Sequence, residues 1–198
     1  MKSAILFGLL ASLTIGLSGC DDFGGFGNLD QRNTLIDDAN LDNAEAAPVT
    51  PLAAIPTTGT VTYDGVVAAS TTGAYVGSLY ADMSMDVDFA GGAITGSITN
   101  VDLVDDATGN VVQGLTGTLA LTGDQTDTPA GGIVGATATG NLTGAGVVTG
   151  TTTAVLVFAG SVRSDVTPAD TVYGTMSGGM AGGFALDLSQ GKFFGTTN

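Results

Sequence analysis

The sequence predicts an all-β protein: an antiparallel up-and-down β-barrel of about eight strands, behind a signal peptide and a disordered linker. Three observations lead there. In Leu79–Phe89, apolar Ala81, Met83, Met85, Val87 and Phe89 alternate with Asp82, Ser84, Asp86 and Asp88. This is the period of two of a strand with one apolar and one acidic face. Gly91-Gly92 then supplies the positive φ of a tight hairpin turn, and Ala93–Val104 alternates again, Ile94, Gly96 and Ile98 against Thr95, Ser97 and Thr99. Finally, strand-like runs follow one another to the C-terminus through short links, with no convincing helix. Such a meander loses its exposed edges by closing on itself. An open two-sheet sandwich is the second architecture.

Composition supports one domain with a real core: 198 residues, 43% hydrophobic, with 32 Gly, 5 Pro and no Trp. The glycines follow no G-X-Y period, which excludes collagen. Nineteen acidic residues stand against four basic ones, a formal charge of -15. A polyanion repels nucleic acid and anionic headgroups, so nucleic acid is not an expected partner. The charge serves solubility, or else attraction of a basic partner or divalent cations.

In chain order, residues 1–19 read as a secretory signal. Lys2 precedes an apolar run, Ala4–Leu17, too short and too lightly flanked to span a bilayer. It ends in Leu17-Ser18-Gly19-Cys20, which resembles the bacterial lipobox. The resemblance implies cleavage before Cys20 and a covalent lipid on it, the only cofactor-like group expected. Cys20 is the single cysteine and there is no histidine, so neither an internal disulfide nor a Cys/His metal site can form. Acyl chains would hold the protein to a membrane at about 0.8 kcal/mol per buried methylene. Asp21 after the cysteine resembles the inner-membrane retention signal of enteric bacteria, set against an outer-membrane placement facing the periplasm or the cell surface.

Residues 20–56 read as the lipidated cysteine and an acidic, Pro-containing disordered tether (Asp30, Asp37, Asp38, Asp42, Glu45; Pro48, Pro51, Pro56), with a typical span of about 30–35 Å. Leu29, Ile36 and Leu41 offer one short amphipathic helix as the alternative.

Residues 57–198 read as the barrel. Expected strands are Gly59–Ala69, Leu79–Phe89, Ala93–Val104, Val111–Thr122, Ile133–Leu142, Thr152–Arg163, Asp170–Ser177 and Gly183–Ser189, with Lys192–Gly195 closing the chain. Asp105–Asn110 and Gly144–Gly150 are expected turns, Gly123–Gly132 a polar loop, and Gly178-Gly179 a glycine turn. Glycines inside strands, among them Gly96, Gly117, Gly160 and Gly174, mark bends or tightly filled interior sites. A membrane-spanning barrel is the rival, but it would need aromatic girdles and would have to turn Asp82, Asp86 and Asp88 into a lumen.

The lipobox, the leader, and the segments Val87–Ile98, Val157-Phe158-Ala159-Gly160, Val172-Tyr173-Gly174, Gly182-Gly183-Phe184-Ala185 and Gly191–Gly195 together resemble the transferrin-binding-protein-B-like β-barrel lipoproteins. The resemblance covers roughly Thr57 to the C-terminus. It implies a lipoprotein of a Gram-negative envelope that binds a host protein or a solute. This chain has room for one barrel rather than two lobes with handle domains, and it is poor in basic and aromatic residues, so neither transferrin nor any family contact carries over.

No catalytic constellation is legible. A Ser-His-Asp or Cys-His arrangement is impossible without histidine. Gly144–Gly150 lacks the βαβ context of a nucleotide loop, and Ser177 sits in no nucleophile elbow. The acid pairs Asp86/Asp88, Asp105/Asp106 and Asp124/Asp127 suit a solvated face better than a glycosidase cleft. Calcium, through Asp102–Asn110 or Asp124–Asp127, is the least weak metal option. Met83 and Met85 read as core filling rather than a haem pocket. The expectation is a non-enzymatic, lipid-anchored binding or display module with an unidentified protein or solute ligand. The alternatives are an acidic spacer and a calcium-stabilised adhesin-like module.

Overall fold

A computed structural model describes residues 44–128, 131–165, 167 and 169–197. Nine strands follow one another: β1 (Thr60–Gly73), β2 (Gly77–Asp88), β3 (Ala93–Val104), β4 (Val111–Gly117), β5 (Leu119–Thr128), β6 (Gly131–Ala145), β7 (Thr149–Arg163), β8 (Thr171–Gly182) and β9 (Leu186–Thr197). All pairings are antiparallel, and β9 returns to β1 from Tyr63↔Thr197 to Gly73↔Leu186. The sheet is a closed ring, so the barrel is the architecture and the sandwich is not.

The ring has eight staves, because β4 and β5 occupy one. β3 pairs with β5 through Ala93–Ile98 and with β4 through Val101–Val104. The stave breaks at Thr118, beside Gly117, whose φ is +142° and whose missing Cβ leaves room for the Asn141 carbonyl. Only glycine takes that conformation at little cost.

The β2–β3 hairpin forms as expected. Gly92 takes φ +73° in its turn and donates its N–H to the Asp88 carbonyl at 2.7 Å, while Asp88 Oδ1 accepts from Ala90 N. Four expectations fail within the barrel. Val111–Thr122 is not one strand but β4 and the start of β5, interrupted at Thr118. Gly123–Gly132 is not a loop: β5 runs to Thr128 and β6 starts at Gly131, paired from Ala120↔Thr139 to Thr128↔Gly131. Gly178-Gly179 is not a turn but lies within β8. The last two expected pieces are one strand, β9, bulged at Gln190 with φ +51°.

Alternation decides which way each side chain points. Tyr63, Met85, Ile98, Leu103, Leu119, Leu121, Phe158 and Phe193 point inward and are under 2% exposed. Each such side chain contributes roughly 1.5–3 kcal/mol by leaving water. Phe193 meets Phe158 edge-on at 5.2 Å. It fits because its cross-strand neighbours Gly160 and Gly174 have no Cβ, which would lie 2.8 and 2.7 Å from its ring. Met83 and Met85 are core filling, at 2% and 0% exposure. Asp82, Asp86 and Asp88 alternate with these buried neighbours on the outside of the ring. Acids outside and apolar residues inside reverse the polarity of a spanning barrel. The described residues contain no helix long and apolar enough to cross a membrane.

Side chains close both ends. At one end Gln113 spans to the β6–β7 turn, donating to the Val148 carbonyl at 3.0 Å and accepting from Val148 N at 2.9 Å, and Thr152 Oγ1 donates to the Phe184 carbonyl at 2.8 Å. At the other end Tyr63 Oη donates to the Ala169 carbonyl at 2.8 Å, and burial pushes that phenol well above its usual range. Ile55, 5% exposed, joins the core there just after a 3₁₀ turn at Leu52–Ala54.

Ile55 belongs to a segment expected to be free tether as far as Pro56. Residues 44–55 are instead fastened to the barrel, as a strap. Val49 bridges to Arg163, Thr50 N donates to the Val162 carbonyl, and Ser164 N donates to the Pro48 carbonyl, the last two at 3.0 Å. The folded unit therefore begins ahead of residue 57, by Ala44 at the latest. The tether expected over residues 20–43, like Leu17, Ser18, Gly19, Cys20 and Asp21, lies outside the described residues.

Candidate functional site

The interior is filled, so the surfaces that remain for recognition are outside, and they differ around the ring. The wall formed by β7, β8, β9 and β1 at the strap end is built around the only two basic residues after Arg32, namely Arg163 and Lys192. Arg163 Nη1 donates to the carbonyls of Glu45 (2.6 Å) and Ala47 (2.8 Å), and its guanidinium lies 4.8 Å from the centre of the Tyr173 ring. That contact is a cation–π arrangement. Lys192 Nζ donates to Glu45 Oε2 at 2.9 Å. The Lys192 ammonium holds the Glu45 carboxyl below the usual carboxylate range, against a smaller opposing effect of burial. Ala44 packs on Val66, Tyr173 and Phe194, an apolar cluster on the outside of the barrel.

Beside this contact lies an open recess of about 190 Å³ lined by Thr175, Gln190, Gly191 and Lys192. The bulge makes it: β8–β9 pairing slips between Met176 and Gly178, and β1–β9 pairing between Ala68 and Ser70. Hydroxyl, carboxamide and ammonium groups can hydrogen-bond a polar group there. Among the described residues its lining carries no carboxylate.

The adjoining wall, β6 and β7 away from the strap end, is plain. Gly131–Val162 carries no charged side chain. Its outward positions include Ile133, Thr139, Asn141 and Thr143 on β6 and Thr151, Thr153, Val155 and Val157 on β7, all exposed. Thr143 and Thr151 hydroxyls meet across the strands at 2.9 Å, and Thr153 Oγ1 donates to Asn141 Oδ1 at 3.0 Å.

The expected acid pairs are scattered. Asp86 and Asp88 stand half-buried on the outer face of β2, and Asp86 Oδ1 accepts from Thr62 Oγ1 at 2.5 Å. Asp105 turns its own loop: Oδ1 accepts from Thr108 N and Thr108 Oγ1, both at 2.8 Å, and these bonds lower its carboxyl. Asp106 accepts from Ser78 Oγ at 2.6 Å. Asp124 is exposed on β5, and the side chain of Asp127 lies outside the described residues. Among the described residues no three acids gather as a cation would need. Ser177 is exposed on β8, and Gly144–Gly150 spans the end of β6, the turn at 146–148 and the start of β7.

The strap was missed in the sequence. Its anchors are backbone carbonyls and a few unlike side chains, Ala44, Glu45, Ala47, Thr50 and Ile55, which follow no period and match no motif; only the isolated Arg163 and Lys192 in an acidic chain pointed to it. No family model, curated protein or solved structure matches the chain.

Proposed function

We propose that this protein is a lipid-anchored protein of a bacterial envelope, resembling the transferrin-binding-protein-B-like lipoproteins in plan, and that it binds or displays through the outside of its barrel without catalysis. One observation carries the reading: the barrel is apolar and filled inside and acidic outside, which suits a water-borne body at a membrane rather than a pore or a ligand-holding cup. The lipobox-like Leu17-Ser18-Gly19-Cys20 supplies the anchor, with covalent lipid on Cys20. The partner is an unidentified protein or solute, met on the outer walls.

The test is metabolic labelling with a fatty-acid analogue followed by protease shaving of intact cells. Labelling lost in Cys20→Ser, with the protein then released into soluble fractions, supports the anchor; unlabelled wild-type protein refutes it. Digestion of the barrel while a periplasmic marker survives places it on the surface. Protection moves the search to periplasmic partners, with Asp21 as the first residue to test for retention.

A filled interior and a charge of -15 also suit the second reading, an acidic spacer with no ligand. Absence of any captured partner from cells in which the shaved barrel is fully exposed would favour it.

A further inference from the structure

At the end of the barrel away from Ile55 and the strap, four connections meet: β1–β2 (74–76), β3–β4 (105–110), β6–β7 (146–148) and β8–β9 (183–185). Hydrogen bonds tie them into one surface. Ala74 N donates to the Ala185 carbonyl at 2.9 Å, and Gly183 N to the Thr151 carbonyl at 2.8 Å. Ser78 Oγ, just past the first connection, donates to Asp106 in the second, and Gln113 holds Val148 in the third. Tyr75 lies between the first two. Its ring approaches Gly77 so closely that a Cβ there would stand 2.7 Å from it. Its phenol is pushed up by burial first, and then by the charges of Asp105 and Asp106.

A surface tied in this way holds its shape without a ligand, yet it shows apolar side chains to water. Val76 is 75% exposed, Val147 is 54% exposed, and Val111 and Val112 at the start of β4 are 42% and 40% exposed. Among the described residues, the other large apolar side chains left exposed belong to the strap or to the plain wall. These four valines share one arc of the rim. Val112 and Val147 immediately precede the bonded pair Gln113 and Val148, and Val76 stands two residues from Ser78, which holds Asp106. Asp105 and Asp106 lie between the valines in this arc. No cation of the described residues joins them, because Arg163 and Lys192 are both engaged with the strap.

We propose that this end of the barrel is a docking surface for a segment of another protein that combines apolar side chains with Lys or Arg. The valines give such a segment a patch to dry, and the charges select it. Asp105 and Asp106, in a chain of formal charge -15, attract a cationic partner and repel an anionic bilayer. A second copy meeting this end would bring four carboxylates together, which opposes self-association. Loops already fixed by their own hydrogen bonds need little further ordering when a partner lands. The tip is a landing place separate from the outer walls, and its role does not depend on the lipid anchor.

The probe is a library of short random peptides displayed on phage, selected against the chain from residue 20 carrying Cys20→Ser. Selected peptides should carry Lys or Arg beside apolar residues, and should shift the amide signals of Val76, Thr108, Val112 and Val147 rather than those of Val155 and Val157. Val76→Ser with Val147→Ser should weaken their binding about tenfold. Asp105→Asn with Asp106→Asn should weaken it several-fold and flatten its salt dependence. These side chains stand at the rim, and asparagine keeps the acceptor oxygens used by Thr108 and Ser78, so both variants should retain a folded amide spectrum. Selection of no binder, binders without basic residues, or shifts centred on another face overturns the proposal. So do rim shifts that grow with protein concentration in the absence of peptide, which mean a second copy. Binding to phosphatidylglycerol vesicles that is lost in the valine variant means a bilayer, and overturns it too.

Discussion

The two walls of this barrel obey the same alternation, though the β8–β9–β1 wall carries a bulge and the β6–β7 pairing runs unbroken, and they differ in what stands on their outer faces. On the β8–β9–β1 wall the outward residues Tyr173, Phe194 and Val66 are as buried as a core, at 7%, 1% and 3% exposure. On the β6–β7 wall the outward residues include Thr, Val, Ile and Asn, and they meet water. The alternation rule holds for both, since it fixes which side a residue faces. It does not fix whether that side is wet. An outward aromatic in a small barrel is therefore a sign of a covering segment, and on this wall Ala44 and the strap are that cover.

The sharpest way to break this comparison is Phe194→Ala. It should cost about 3–5 kcal/mol, the penalty of a core aromatic, read as a shift in the denaturant midpoint. A cost under about 1 kcal/mol would mean that the strap does not cover the ring in solution. Arg163→Met should come next. It removes two charge-assisted bonds to strap carbonyls, each worth roughly 1.5–3 kcal/mol, and should open Glu45–Thr50 to proteolysis well before the barrel melts. Equal protection in mutant and wild type would refute its role as the fastener.

Acid should act in the same place with a smaller effect. The Glu45 carboxyl is lowered from its ordinary value of 4.5 by the Lys192 ammonium, so its contribution is fully present above that value. It fades as pH falls below about 4.5 and through the folded-state pKa. The Glu45 side chain is half exposed, so solvent and salt screen the pair, and strap release measured by proteolysis should shift only slightly between pH 5 and pH 3. Glu45→Gln should flatten that dependence; an unchanged slope would assign it to other carboxylates. The smallest effect belongs to the plain wall. Val157→Thr should stay within about 0.5 kcal/mol of wild type, and a larger loss would show that this wall, too, is covered.

These differences explain how much of the structure was legible in the sequence. The β2–β3 hairpin was plain because Asp and apolar residues alternate there with maximal contrast. The β5–β6 hairpin was hidden because Gly123, Asp124 and Asp127 look like loop residues, though one stave tolerates them where its neighbours supply the pairing, as Asp124↔Gly135 does. In β8, Gly178-Gly179 signalled a turn in isolation, whereas close packing against the Val155 and Leu186 carbonyls demanded small residues in a strand. The strap left almost no trace, because much of its hold comes from backbone carbonyls and the side chains that add to it, Glu45, Thr50 and Ile55, follow no period. The lipobox was the most specific motif, and it speaks of processing rather than of the fold.

The order in which the chain is fastened has a mechanical consequence. Any pull applied from the N-terminal side reaches the contacts of residues 44–50 first, then the Ile55 plug, and only afterwards β1, which is laced on both edges by β2 and β9. The first contacts can be peeled one at a time, while β1 must shear along its whole length. A modest tug would therefore pay out residues 44–59, roughly 50 Å of extended chain, while the barrel stays shut. The strap is a reserve of slack ahead of a body that does not yield.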